Sequence, residues 1–133
     1  MGCNSHLTIE IQGRYGDQTV WETWALDIPE SRDYKLYEAM AGARGEEENA
    51  IVTPRGIPAD ASDTVIYWIK RYGEDGHTHS WLYPKEFEKA LKQSKTKEFP
   101  NAAREWEALA KVLNSLSDVY GEDHVRVVFF FDN

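Results

Sequence analysis

The sequence predicts an α+β fold: a small antiparallel sheet that includes the N- and C-terminal strands, packed with about four helices. Three observations carry this. Residues 6–12 alternate strictly between apolar and polar side chains. Residues 125–131 are a nearly unbroken run of valine and phenylalanine. Between them, apolar residues recur at helical spacing in several segments. Strands first and last with helices between suggest layers of helix on sheet.

In the first strand Leu7, Ile9 and Ile11 face one side, and His6, Thr8, Glu10 and Gln12 face the other. Gly13-Arg14-Tyr15-Gly16-Asp17 reads as a turn, with glycines for unusual dihedrals. Residues 19–26, rich in β-branched and aromatic types, form the hairpin partner, which Pro29 ends. Asp33 is placed to cap a helix over 34–43 with Tyr34, Tyr37, Met40 and Ala41 on one face. Residues 42–60 look irregular, with the acidic run Glu46-Glu47-Glu48 at a solvated tip. Ile51 and Val52 are expected to tuck against the core or form a short strand. Ser62 or Asp63 caps the next helix, which runs to Tyr72 with Val65, Ile66, Trp68, Ile69 and Tyr72 as its stripe.

The stretch Gly73 to Leu82 follows as a loop held between helices. Pro84 suits the first turn of a helix to Gln93, with Phe87 and Leu91 inward. Residues 92–99 form a basic, polar connector. The longest helix spans 102–119, and Trp106, Leu109, Ala110, Leu113, Leu116 and Tyr120 form its apolar stripe; Gly121 stops it. The last strand is apolar on both faces apart from Arg126, so it belongs in the middle of the sheet, paired with the first. Its arginine needs a partner if buried, and Asp132, Glu10 or a carboxylate elsewhere can supply one.

All 133 residues fit a single domain, 1–133, with enough chain to bury a core. The formal net charge of -8 opposes a nucleic-acid polymer, whose binding rests on phosphate neutralisation. No run is long or apolar enough for a membrane span. Cys3 is the only cysteine, which excludes an internal disulfide and a four-cysteine zinc site. The start Met1-Gly2-Cys3-Asn4-Ser5-His6 lacks the Ser or Thr that myristoylation wants where His6 stands.

Gly73 to Leu82 is the stretch richest in chemistry. His77 and His79 point the same way if the segment is strand-like, and can then share a metal with Asp75, His6 or Asp123, or act as acid and base on a phosphodiester. Otherwise they fix a loop or bind a ligand. His6-Leu7-Thr8 has the His-x-Thr form of two-histidine phosphoesterases, but no second copy exists, so that assignment is rejected. Arg55, between Pro54 and Pro58, sits on a stiffened loop suited to phosphate or carboxylate, or to an ion pair. Arg32 precedes a helix start, where amide donors favour anions. Asp132-Asn133 closes the last strand with polar groups. No metal ligand set, cofactor motif or catalytic residue is assigned.

Five segments together carry a resemblance. They are Cys3-Asn4-Ser5-His6, Ser31 to Tyr37, Pro54 to Asp60, Asp75 to Leu82, and Val125 to Asn133. In that order the chain resembles a family of small uncharacterised proteins of tailed bacteriophages and prophages, with Asn4 where an acidic residue is expected. The resemblance implies a phage protein made in the host cytoplasm and brings no established activity. By analogy with small counter-defence proteins, the expected role is to bind and sequester a nucleotide-derived immune messenger. Arg32, Arg55, His77, His79 and Trp81 are the expected contacts: arginine and histidine for phosphate, aromatic stacking for the base. The expected partner is thus a small anionic nucleotide-like ligand, and self-association into a homo-oligomer stays open. Two alternatives stay open too: a phosphodiesterase using His77 and His79, and an acidic inhibitor of a host protein. The reading leans away from an enzyme.

Overall fold

The computed structural model describes residues 2–15, 18–28, 31–94 and 100–133. The fold is α+β. Four strands, β1 (Asn4–Tyr15), β2 (Gln18–Ile28), β3 (Gly76–Leu82) and β4 (Val125–Asp132), form one antiparallel sheet in the order β2-β1-β4-β3. The terminal strands pair at its centre, as expected, with Leu7 opposite Phe129 and Glu10 opposite Arg126. Four helices accompany it: α1 (Tyr34–Ala41), α2 (Asp63–Tyr72), α3 (Pro84–Ser94) and α4 (Pro100–Tyr120). No helix among the described residues is long and apolar enough to cross a membrane.

Strand pleating divides the residues into two layers. Leu7 and Ile9 of β1, with Val125, Val127, Phe129 and Phe131 of β4, join α1, α3 and α4 in the main core. Trp106, Tyr37, Phe87, Phe129 and Phe131 are fully buried there. Each of the three phenylalanines contributes about 1.5–3 kcal/mol of hydrophobic stabilisation. The opposite face carries His6, Thr8 and Glu10 of β1 with Arg126, Val128 and Phe130 of β4. It is covered by α2: the Tyr72 ring meets those of His6 and Phe130, and the Ser62 N–H donates to Glu10.

Local signals explain several boundaries. Asp33 caps α1 through its carboxylate, which accepts from the Leu36 N–H, and Gly42 ends the helix at φ 75°. Within 42–60 only a short 3-10 turn, Glu47–Asn49, is regular, and Ile51 and Val52 pack against the core.

Four expectations change. Gly73–Asp75 is a 3-10 turn, and the supposed loop after it is the edge strand β3. The hairpin strands run longer than anticipated, with Arg14 opposite Thr19 and Tyr15 opposite Gln18, because strand pairing overrides the local preference of Gly13 for a turn. Tyr120 is 41% exposed, since α4 outruns the sheet that buries its earlier turns. Tyr34 stays at the surface, its hydroxyl accepting from the Cys3 N–H. The turn at Gly16-Asp17, the stop at Pro29 and the connector at 95–99 lie outside the described residues.

Candidate functional site

The chemistry gathers on the α2 face of the sheet, toward the start of β1 and the end of β4. Asn4 pairs with Asp132, and Asp132 pairs with Gly76 of β3, so three strands bring their polar ends to one place. His6 Nε2 lies 3.2 Å from Asp132 Oδ1. The His6 ring sits 4.3 Å from that of Tyr72 and stacks at 5.0 Å on Phe130. The His79 ring stacks on the same Phe130 at 5.3 Å. One phenylalanine thus carries an imidazole from each neighbouring strand, with Tyr72 above.

Three polar atoms in this cluster are buried without a hydrogen-bond partner: His6 Nε2, His79 Nε2 and Asp132 Oδ1. The first and third lie within ion-pair distance of each other. Each such atom costs about 1–3 kcal/mol unless something completes it. Burial, and then the charge of His77, hold the His79 imidazole below the ordinary histidine value of 6.5. His79 is therefore neutral at pH 7, able to donate from one ring nitrogen and accept at the other.

A neutral buried histidine has a consequence for stability. The unfolded chain takes up the proton at a higher pH than the folded one, so stability rises with pH between the two pKa values. As pH falls below about 6.5 through the lower folded value, the protein should lose stability, and His79→Gln should flatten that limb. Urea unfolding of both proteins from pH 7.5 to 4.5 measures this. Equal slopes would show that His79 is not the group responsible.

The two sequence-predicted histidines meet different faces of the sheet. Thr78 has a positive φ of 55°, and the register of β3 against β4 slips between His77 and Ser80. This bulge turns consecutive histidines to opposite faces. His77 pairs with Phe131 of the core face, and its Nε2 bonds to Asn133 Oδ1 at 3.1 Å. His79 lies over Phe130 on the α2 face. Among the described residues no three His, Cys, Asp or Glu side chains group to hold a metal.

Arg55 and Trp81 form a separate unit at the β3 edge. The Pro54–Pro58 loop lies along that edge: the Gly56 N–H donates to His79 O, and the Arg55 N–H to Ser80 Oγ, both at 3.0 Å. The Arg55 guanidinium lies 4.3 Å from the Trp81 ring centre and binds Glu86 by two 2.7 Å bonds. Burial pushes the Glu86 carboxyl upward, but bonds from Arg55 and from the Tyr83 N–H outweigh it and hold the pKa below the usual 4.5. The loop and the histidine strand are thus neighbours, while the Arg55 charge is already met within the chain. Arg32 reaches the site from the other side, its Nε donating to Asn4 Oδ1 at 2.8 Å.

Sequence reasoning missed Tyr72, Phe130, Asp132 and His6 as members of one site. The spacing signal was present, because His6 and Glu10 share a face of β1, but nothing local showed that α2 would cover it. Three surface clefts lie elsewhere, beside Lys35 and Gln93, between Trp24 and Val112, and beside Tyr83 and Glu122. The first mixes charges, the second is apolar, and the third holds the Lys85–Glu122 ion pair. None contains an expected contact residue. No family model, curated protein or solved structure matches this chain.

Proposed function

We propose that the protein is a phage counter-defence factor that binds a small nucleotide-derived messenger and holds it unchanged in the host cytoplasm. The observation that supports this most is the aromatic cluster of His6, Tyr72, His79 and Phe130 beside the His6–Asp132 pair. Flat apolar rings flanked by a few polar groups suit a base and its sugar. The resemblance to small phage proteins supplies the biological setting. Arg32 at the margin is the nearest candidate for a phosphate, and Arg55 with Trp81 would stiffen the adjoining wall.

Cleavage has less support. An acid and a base must flank one scissile bond, and His77 and His79 lie on opposite faces of the sheet. The test is a thermal-shift panel of cyclic dinucleotides and ADP-ribose derivatives, followed by heating the complex and analysing the released compound. A rise in melting temperature with intact ligand recovered is the expected result, because ligands that bind only the folded state stabilise it. A cleaved product would point to a phosphodiesterase instead. No shift with any nucleotide, together with a stoichiometric host protein on pull-down, would favour an inhibitor.

A further inference from the structure

We infer that the outer face of α4, with Trp24 of β2 beside it, is the interface of a homodimer in which two α4 helices pack antiparallel about a two-fold axis near Lys111. This surface is separate from the histidine cluster and does not depend on the reading given above. Ala108, Val112, Ser115 and Val119 recur at steps of four, three and four residues, so they form one stripe along the helix. All four are exposed, Val112 at 36% and Val119 at 77%. Trp106, Leu109, Leu113 and Leu116 form the stripe that meets the core, so α4 carries a second stripe besides it. Beside that second stripe runs a cleft of about 420 Å³, walled by Ile9, Trp24 and Ala25 of the sheet and by Ala108, Leu109 and Val112 of α4. Ile9 opposes Ala25 while Glu10 opposes Thr23, which leaves Trp24 as the extra residue of a bulge. Two consecutive residues of β2 therefore share one wall, and the indole stays 47% exposed. A contiguous exposed apolar surface of this kind marks an interaction site.

The charges decide the occupant. Arg104, Lys111 and Asp118 repeat every seven residues and flank the stripe on the side away from Trp24. Among the described residues none of the three has an ion-pair partner. Asp118 stands in the last turn of α4, where the helix macrodipole disfavours an acid. Laying a second α4 in reverse against the first sets Arg104 of each copy beside Asp118 of the other, and Lys111 of each beside Glu107 of the other. A parallel pair would oppose like charges instead. The chain as a whole carries -8, yet this face sets Arg104 and Lys111 against Glu105, Glu107 and Asp118. A basic partner drawn by net charge has little to hold here, whereas the same face inverted matches it.

The test is sedimentation velocity of the whole protein at low salt. A helix pair flanked by two indoles lies at the small end of specific interfaces, so a dissociation constant on the order of 100 µM is expected. The parent should therefore pass from monomer to dimer between about 10 µM and 1 mM. Val119→Asp should weaken the dimer at least tenfold without cost to folding, because the side chain is 77% exposed. Arg104→Asp and Asp118→Arg should each weaken it about tenfold, since each opposes like charges at two contacts. Both substitutions put their new charge where the helix macrodipole favours it, so the fold is kept. An equimolar mixture of these two variants should restore the dimer, because opposite charges then meet at both contacts. A mixture that stays monomeric would overturn the antiparallel pairing. A parent that stays monomeric to about 1 mM, or a dimer indifferent to Val119→Asp, would overturn the interface. If such a monomer takes up an apolar dye and Val112→Glu abolishes the uptake, the cleft belongs to a small apolar ligand instead.

Discussion

Glu10→Ala should destabilise the protein by about 3–5 kcal/mol, the largest single-residue effect expected from a polar group in this fold. Glu10 is fully buried, and its two oxygens are both committed: one to Arg126 Nε at 2.6 Å, the other to the Ser62 N–H at 2.6 Å. Arg126 is 4% exposed, packs against Trp21 with its guanidinium carbon 3.9 Å from the ring centre, and donates to Asp60 at 3.1 Å. Removing Glu10 leaves that cation in a dry layer with only the exposed Asp60 as a counter-charge. It also frees the N–H that starts α2. Urea unfolding at pH 7 measures the loss. The double variant Glu10→Leu/Arg126→Met should recover most of it, because exchanging a whole buried pair for apolar groups is often neutral. A loss below about 1 kcal/mol for Glu10→Ala would show that water reaches the pair and relieves it.

The same pair shows how far the sequence could be read. An arginine inside an apolar strand demanded a partner, and strict alternation in residues 6–12 put Glu10 on the polar face. Pairing of the terminal strands then brought the two together. The central sheet and the helices were legible because their apolar periods are long and uninterrupted. β3 was not. Its seven residues hold two histidines, a threonine and a serine, and the bulge at Thr78 breaks the alternation that would have marked a strand. That one backbone irregularity turns His77 and His79 to different faces of the sheet, which their spacing in the sequence does not show. Arg55 was ambiguous for a different reason. Its fate depended on Glu86, thirty-one positions along the chain, which only the fold brings within reach. The site itself escaped notice because its members come from four elements, and only Tyr72 of α2 joins them. A helix stripe containing Tyr72 was visible, but the sheet face it would cover was not.

Tyr72 is accordingly where binding and folding can be separated most cleanly. Tyr72→Ala should weaken nucleotide binding about ten- to hundredfold, the range of one aromatic–base stacking contact. The residue is only half-buried, so its removal should cost folding far less than the core truncations, which run to about 3–5 kcal/mol for Phe or Trp. Phe130→Ala belongs to that second class, because Phe130 is 5% exposed in the central strand and supports both imidazoles. Tyr72→Phe keeps the ring that packs on His6 and should bind within about threefold of the parent, which distinguishes stacking from any role of the hydroxyl. Arg55→Ala gives the contrast at the β3 edge: its charge is neutralised by Glu86, so it should lower stability while leaving nucleotide affinity within about threefold. If Tyr72→Ala binds as tightly as the parent while Arg55→Ala does not, the ligand lies on the Trp81 side of β3. The α2 face would then serve stability alone.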